Sequence, residues 1–253
     1  MIVHVHVCTH NDEKILPYFI RHYGEFADKI FVYDNNSTDR TLEIAAGCPI
    51  MEVTQAPWGE GEWLDSTQGH FYEQQYKLLS RGVADWVIML DSDEFIVHRE
   101  GMREYLTRVK KDGRKVLRCQ GWNMFSEEVP TGDGQIYHQV CLGQKTTLYS
   151  KVVVFDPSID IVFGPGRHTT YMADASGELV EVRPRSSDRM KMLHYKYLSR
   201  DFSIRNGYYM NDPRFSSVAK ERDDMKRQES IRRWMDGVSM LRRGELRDPM
   251  KFK

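Results

Sequence analysis

Apolar positions along the first hundred residues follow two alternating rhythms. Ile2–Cys8, Lys29–Asp34, Ile50–Thr54 and Asp85–Leu90 are short runs rich in Val, Ile, Phe and Tyr, the pattern of buried strands. Between them, Glu13–Phe26 sets Ile15, Leu16, Phe19, Ile20, Tyr23 and Phe26 at helical spacing. Arg40–Ala46 predicts a short helix stopped by Gly47 and Pro49, and Leu64–Arg81 a longer one stopped by Gly82. Strands alternating with helices of these lengths predict right-handed βαβ units and a parallel sheet.

Beyond Phe95 the rhythm is lost. Met102–Lys111 predicts a surface helix, and Lys115–Trp122 and Lys151–Phe155 predict strands. Residues 126–147 are turn-rich, and Ile161 to Tyr171 reads as a strand entering a loop through Gly164-Pro165-Gly166-Arg167-His168. The pattern divides the chain into a strand–helix half over 1–95, a mixed half over 96–206, and a helical extension over 207–253. In that extension Ile231, Trp234, Met235, Val238 and Leu241 share one helical face. Residues 214–253 hold 12 basic and 7 acidic side chains, so the local charge is 12 − 7 = +5. Two readings follow: a helix packed on the main domain or a dimer partner, or a basic element lying on an anionic membrane.

Composition narrows the class without naming it. With 253 residues, 40% hydrophobic and 29% charged, the chain is of ordinary globular type. A formal charge of −1 gives no reason to expect nucleic acid as a partner. Cys8, Cys48, Cys119 and Cys141 lack paired metal-ligand spacing and read as free thiols of a reducing compartment. No apolar run approaches the roughly 20 residues of a membrane helix, and the N-terminus is too polar for a signal peptide. The expectation is a cytoplasmic protein, with peripheral contact at the inner face of a membrane left open.

The chemistry gathers where the apolar runs stop. Val87-Ile-Met-Leu90 ends in Asp91-Ser92-Asp93-Glu94, and strand alternation aims Asp91 and Asp93 at the same side. Crowded carboxylates repel unless a cation neutralises them, and hard oxygen ligands suit Mg²⁺ or Mn²⁺. The other two strands end in Thr9-His10-Asn11-Asp12-Glu13 and Asp34-Asn35-Asn36-Ser37-Thr38-Asp39. In an open α/β sheet, ligands bind in the crevice at those ends. His194 lies in Met192-Leu193-His194-Tyr195-Lys196, where alternation puts His194 and Lys196 on one side.

Asp34-Asn35-Asn36-Ser37-Thr38-Asp39-Arg40-Thr41 resembles the Asp-Asp-Gly-Ser-Thr-Asp-Gly-Thr turn of family 2-like glycosyltransferases of the A-type (GT-A) fold. Leu90-Asp91-Ser92-Asp93-Glu94-Phe95 resembles that family's Asp-x-Asp strand end. The likeness covers residues 1–100 well and 160–206 more loosely. It implies an α/β GT-A fold, the nucleotide-diphospho-sugar transferase-like fold with a mostly parallel central sheet and a mixed second half. It also implies a metal-dependent, inverting transfer of sugar from a nucleotide-sugar donor to a glycan or lipid-linked acceptor, as in bacterial surface polysaccharide synthesis. The cofactor would be Mn²⁺ or Mg²⁺. Asp93 would then bind the metal, Asp91 the ribose or a metal-bound water, and His194 would return to the metal from a late strand. Lys196 and Arg205 would meet the diphosphate, and Thr9, Asn11, Asp34 and Asn35 the nucleoside. Asn35 departs from the family's second Asp, which removes the warrant for uridine. Asp39 and Thr38 read as helix caps.

The general base is the weakest point, because the family's Glu-Asp motif is absent. Glu127, Glu128, Asp160 and His168 are the candidates, with Gly164 and Gly166 offering close backbone approach to a ligand. Trp58, Trp63 and Trp122 are candidates for stacking on sugars. A sugar nucleotidyltransferase is the main competitor, but its glycine-rich phosphate loop is missing from Thr9–Glu13. A nucleotide-sugar-binding protein without transferase activity predicts a damaged metal motif, and Asp91 and Asp93 are both intact.

Overall fold

The computed structural model describes residues 1–57, 65–164, 167–182, 190–203 and 217–251, with side chains described except at 65–67 and 217–224. The chain runs β1 (Val3–Thr9), α1 (Leu16–Tyr23), β2 (Lys29–Asp34), α2 (Thr41–Ala46), β3 (Met51–Gln55), α3 (Asp65–Leu79) and β4 (Trp86–Asp91). It continues with β5 (Glu94–Val97), α4 (Met102–Lys111), β6 (Val116–Arg118), β7 (Gln120–Phe125), α5 (Ile136–Gln139), β8 (Gly143–Thr146) and β9 (Val152–Phe155). The last elements are β10 (Val162–Phe163), β11 (Thr170–Ala173), β12 (Leu179–Glu181), β13 (Lys191–Tyr197), α6 (Arg200–Ser203) and α7 (Ser217–Arg242).

The central sheet has the order β3-β2-β1-β4-β9-β6. Its first four strands are parallel, and β9 runs antiparallel to both β4 and β6. This is the mixed α/β architecture with a mainly parallel sheet that the family resemblance implied. Alternation along β1 sorts its two faces. Val3, Val5 and Val7 join Leu16 and Phe19 of α1 and Tyr105 and Leu106 of α4 in one core layer. Cys8 joins Phe31, Tyr33, Val87 and Met89 against Tyr72 and Tyr76 of α3 in the other. On the α3 face two buried polar residues find partners: His4 Nδ1 and His6 Nε2 lie 2.9 and 2.8 Å from the Ser80 hydroxyl, and His6 Nδ1 lies 2.7 Å from the Tyr33 hydroxyl.

Two boundaries differ from expectation for local reasons. Helix α1 begins three residues later than its apolar periodicity, because Pro17 is tolerated only in a first turn. The predicted strand over 115–122 is two strands. β6 pairs with β9 in the central sheet, and beyond Cys119 the chain enters a second sheet of order β5-β13-β7-β8. The chain makes the same transfer between β4 and β5. Residues 92 and 93 form a turn, and Glu94 opens a strand antiparallel to β13. Both transfers take place beside the C-terminal ends of β1 and β4.

Helix α7 packs on the second sheet. Trp234 and Leu241 pack with Phe125, Tyr197 and Leu246, and the Trp234 indole N–H donates to the Ser126 carbonyl at 2.9 Å. Met235 stays exposed. The basic side chains Arg232 and Arg233 pair with Glu229, and Arg242 with Glu127. Part of the apolar face is thus turned onto the chain's own second sheet. No helix among the described residues is long and apolar enough to cross a membrane.

Candidate active site at the sheet ends

The ends of β1 and β4 are tied together by one buried carboxylate, that of Asp12. Asp12 Oδ2 accepts from the Thr9 hydroxyl at 2.9 Å, the Ser92 hydroxyl at 2.6 Å and the His10 N–H at 3.2 Å. The Asp12 N–H in turn donates to Thr41 Oγ1 at 2.7 Å. Asn11, held at φ 52°, accepts from the Thr38 N–H at 2.7 Å, and Asp34 accepts from the Ser37 N–H at 3.2 Å. Asn35 is buried, with its N–H on the Thr9 carbonyl at 2.8 Å. The four expected nucleoside contacts therefore do gather at one edge. Thr9 and Asn11, however, use their side chains to hold the two turns in place. Asp39 Oδ1 accepts from the Thr41 N–H at 2.9 Å at the start of α2, and Thr38 donates to Asn11.

The two aspartates of the β4 end part company. Since Asp93 belongs to a turn and not to the strand, alternation no longer links it to Asp91. The Asp91 Oδ1 meets Arg167 Nη2 at 2.5 Å, with 45% of the Asp91 side chain exposed and 3% of Arg167. Burial alone would raise the Asp91 carboxyl, but Arg167, helped by Lys151, brings it down to about 2. Arg167 sits at φ 56° with its guanidinium 4.7 Å from the centre of the Tyr72 ring. Its Nε and Nη1 have no hydrogen-bond partner among the described residues.

Asp93 faces the other way, onto β13. Its Oδ1 lies 3.6 Å from His194 Nε2, and both residues are buried. The His194 Nδ1 lies 3.2 Å from Asn123 Oδ1 of β7, an acceptor, so that nitrogen carries the proton. Burial depresses His194 to about 4 against the pull of Asp93, which keeps the ring neutral at ordinary pH. A neutral Nε2 lone pair then faces a carboxylate oxygen. Asp93 Oδ1 and His194 Nε2 are close enough to share a divalent cation. Among the described residues, no group of three or more His, Cys, Asp and Glu side chains is arranged to hold a metal. The three expected ligands, Asp91, Asp93 and His194, do not form such a group. A hard cation held by so few protein ligands takes the rest of its shell from water and a ligand's phosphates.

Glu94 is fully buried and pairs with Lys151 Nζ at 2.7 Å. Burial raises its carboxyl and Lys151 opposes the rise. The other Glu94 oxygen accepts the Asp91 N–H at 3.2 Å, which braces the turn from beneath.

The four proposed bases separate by position. β9 runs antiparallel to β4, so the chain after Phe155 emerges at the opposite edge of the sheet. Asp160 sits there, paired with Lys77 and Arg81 at 3.0 and 2.8 Å, remote from the strand ends. Glu127 is exposed and paired with Arg242 at 2.7 Å, and Glu128 is exposed. His168 alone adjoins the site. The Tyr149 ring lies 3.9 Å from that of His194 and 5.7 Å from that of His168. His168 Nδ1 donates to the Leu148 carbonyl at 3.0 Å, which leaves Nε2 as the acceptor nitrogen. Burial, then Lys151, lowers its pKa.

A Cβ at Gly164 would meet Thr169 Oγ1 at 2.0 Å. Lys196 stands near enough to His194 to oppose its protonation. Trp122 is half-buried against the core. Arg205, Trp58, Trp63 and Gly166 lie outside the described residues. Sequence reasoning missed Arg167, Lys151, Asp12, Tyr149 and Asn123. Only Lys151 left a signal, as a lone charge opening the apolar run Val152–Phe155.

No protein-family model matches the chain, and no curated protein does. Among solved structures, glucosyl-3-phosphoglycerate synthase from Mycobacterium tuberculosis, in complex with Mn²⁺, UDP and glucosyl-3-phosphoglycerate, is similar at 17% identity and a TM-score of 0.33. That match covers 48% of this chain and 44% of the synthase, so the chain spans less than half of that protein's length. A 4-diphosphocytidyl-2C-methyl-D-erythritol synthase is similar at 12% identity and TM-score 0.35, over 62% of this chain and 76% of its own. UDP-glucose pyrophosphorylase complexed with UDP-glucose is similar at 11% identity and TM-score 0.33, over 89% and 88%. At such scores these likenesses carry no weight beyond themselves.

Proposed function

We propose that the protein is a nucleotide-sugar-dependent glycosyltransferase, with Asp93 and His194 as its protein ligands for Mn²⁺ or Mg²⁺. The observation that carries this reading is the closeness of Asp93 Oδ1 and His194 Nε2, 3.6 Å apart beside the C-terminal ends of β1 and β4. When bound, a divalent cation there supplies Lewis-acid stabilisation to a departing diphosphate. The chain's own residues do the rest. Asn123 and Tyr149 orient the His194 ring, and the Asp12 network holds the strand-end turns in register. Lys196 adds positive charge beside His194. His168 presents Nε2 to take a proton from an acceptor hydroxyl, the step an inverting transfer requires. The acceptor, a glycan or a lipid-linked sugar, belongs to the same reading, as does a role in polysaccharide synthesis at the cytoplasmic face.

A thermal-shift panel of nucleoside diphosphates and nucleotide sugars, with and without Mn²⁺, tests it. Stabilisation by at least one nucleoside diphosphate should require the metal and vanish in Asp93→Ala, which loses one of two ligands. Metal-independent stabilisation that survives Asp93→Ala would sink the assignment. Release of nucleoside diphosphate from a nucleotide sugar marks the transferase, whereas formation of a nucleotide sugar with release of pyrophosphate would mark a nucleotidyltransferase.

A further inference from the structure

The ring of His168 takes its direction from one turn. Residues 147–150 link β8 to β9, and the turn closes on itself. The Ser150 N–H donates to the Thr147 carbonyl at 3.0 Å and the Ser150 hydroxyl to the Thr146 carbonyl at 2.9 Å. The Leu148 carbonyl accepts from His168 Nδ1 at 3.0 Å, and the Tyr149 ring meets the His168 ring edge-on, with 5.7 Å between centres. The first contact places the imidazole proton on Nδ1, and the second restricts rotation of the ring, so that Nε2 is offered in one direction.

This turn is seated on β7 at a residue without a side chain. The Gly121 N–H donates to Ser150 Oγ at 2.9 Å, and Arg118 Nε to the Ser150 carbonyl at 2.7 Å. A Cβ at Gly121 would lie 2.5 Å from the Tyr149 carbonyl carbon and 2.7 Å from its Cβ and its oxygen. All three atoms move only with the backbone, so no change of rotamer relieves the clash. Gly121 is itself paired to Met192 of β13 and Thr146 of β8, which leaves the strand little freedom to yield. A glycine inside a strand weakens it, and it marks a place where another backbone approaches closely.

We propose that Gly121 is a positioning residue: it lets the turn lie directly on β7 and thereby fixes the direction in which His168 presents Nε2. This rests on His168 as the group that takes the acceptor's proton. Any side chain at position 121 lifts the turn, and the Leu148 carbonyl and the Tyr149 ring then leave His168 together. A role in packing alone predicts lower stability without a change at His168.

Side-chain ¹⁵N NMR of the histidine-labelled, full-length protein at pH 8 tests this, with the His168 signals identified by their loss in His168→Asn. The parent should show the Nδ1–H tautomer. Gly121→Ala should move toward Nε2–H, the form an unrestrained histidine prefers, and lose about 10–100-fold in kcat with donor KM nearly unchanged. Ser150→Ala, which unties the turn from Gly121 and Thr146, should shift both in the same direction by less, and it decides the matter if Gly121→Ala does not fold. Gly237→Ala, destabilised at a different contact with the Phe125 ring, should keep the parent's tautomer and kcat. A parent-like tautomer in Gly121→Ala would overturn the proposal, as would a shifted one with kcat intact where His168→Asn is impaired, or an equal shift in Gly237→Ala. Full turnover in His168→Asn would instead defeat the reading of His168 on which the proposal rests.

Discussion

Glu94 and Lys151 form an ion pair whose side chains are 0% and 2% exposed. A buried charge left without its partner costs more than the pair contributes. Lys151→Met should therefore destabilise the fold by about 3–5 kcal/mol, and adding Glu94→Gln should recover part of that loss. Urea unfolding of the three variants checks this, and a cost for Lys151→Met below about 1 kcal/mol would show that water reaches Glu94. His168 invites a kinetic test instead. As an exposed residue whose ring is oriented by one carbonyl, it can be replaced by Asn with little effect on folding. His168→Asn should lower kcat by about 10²–10⁴-fold, the usual worth of a general base, with donor KM nearly unchanged. Full turnover in that variant would return the search to other groups.

Among the elements, α7 depends on one close approach. Gly237 stands mid-helix, where it costs about 1 kcal/mol relative to alanine. A Cβ at this position would lie 2.0 Å from the Phe125 ring, so the glycine exists for the contact. Gly237→Ala should improve helix propensity and yet lower the melting temperature, with amide exchange accelerated in α7 and at the end of β7. A rise in melting temperature would mean that the helix does not pack on Phe125 in solution. At this same scale the site is assembled by the two sheet transfers. β4 into β5 delivers Asp93, and β6 into β7 delivers Asn123, to either side of His194 on β13.

For the whole molecule, acid stability follows from buried neutral histidines. Burial lowers His6 to about 3 and His22 to about 4, from a value near 6.5 in an unfolded chain. His22 Nε2 is satisfied by the Ile96 carbonyl at 2.9 Å, and His6 by Ser80 and Tyr33. A depressed folded pKa means that the unfolded chain binds more protons below pH 6.5. The stabilisation is complete above that pH and is lost as pH falls toward 4 and then 3, by several kcal/mol in all. Urea midpoints measured from pH 8 to 4 should fall mainly below 6.5, and less steeply in His22→Gln. An equal slope in both proteins would remove His22 from the account.

Local pattern determined a good deal of this protein. Period-two and helical spacing located β1 to β4, α1, α3 and α4. The abrupt end of each apolar run marked the edge where polar side chains gather, because a buried strand can admit them only where it surfaces. Tertiary structure decided what those residues do. Asp91 and Asp93 look equivalent two positions apart, and only the turn between two sheets sends one to Arg167 and the other to His194. Charge pairing is set by the same long-range contacts. Lys151 and Glu94 are 57 positions apart, and Arg167 and Asp91 are 76 apart. Asp160 looked as eligible as His168 until the antiparallel course of β9 carried it to the far edge. Spacing along a chain reports which face a side chain shares with its near neighbours. It carries no information on which distant group will stand opposite, and the chemistry of a carboxylate or an imidazole depends on that.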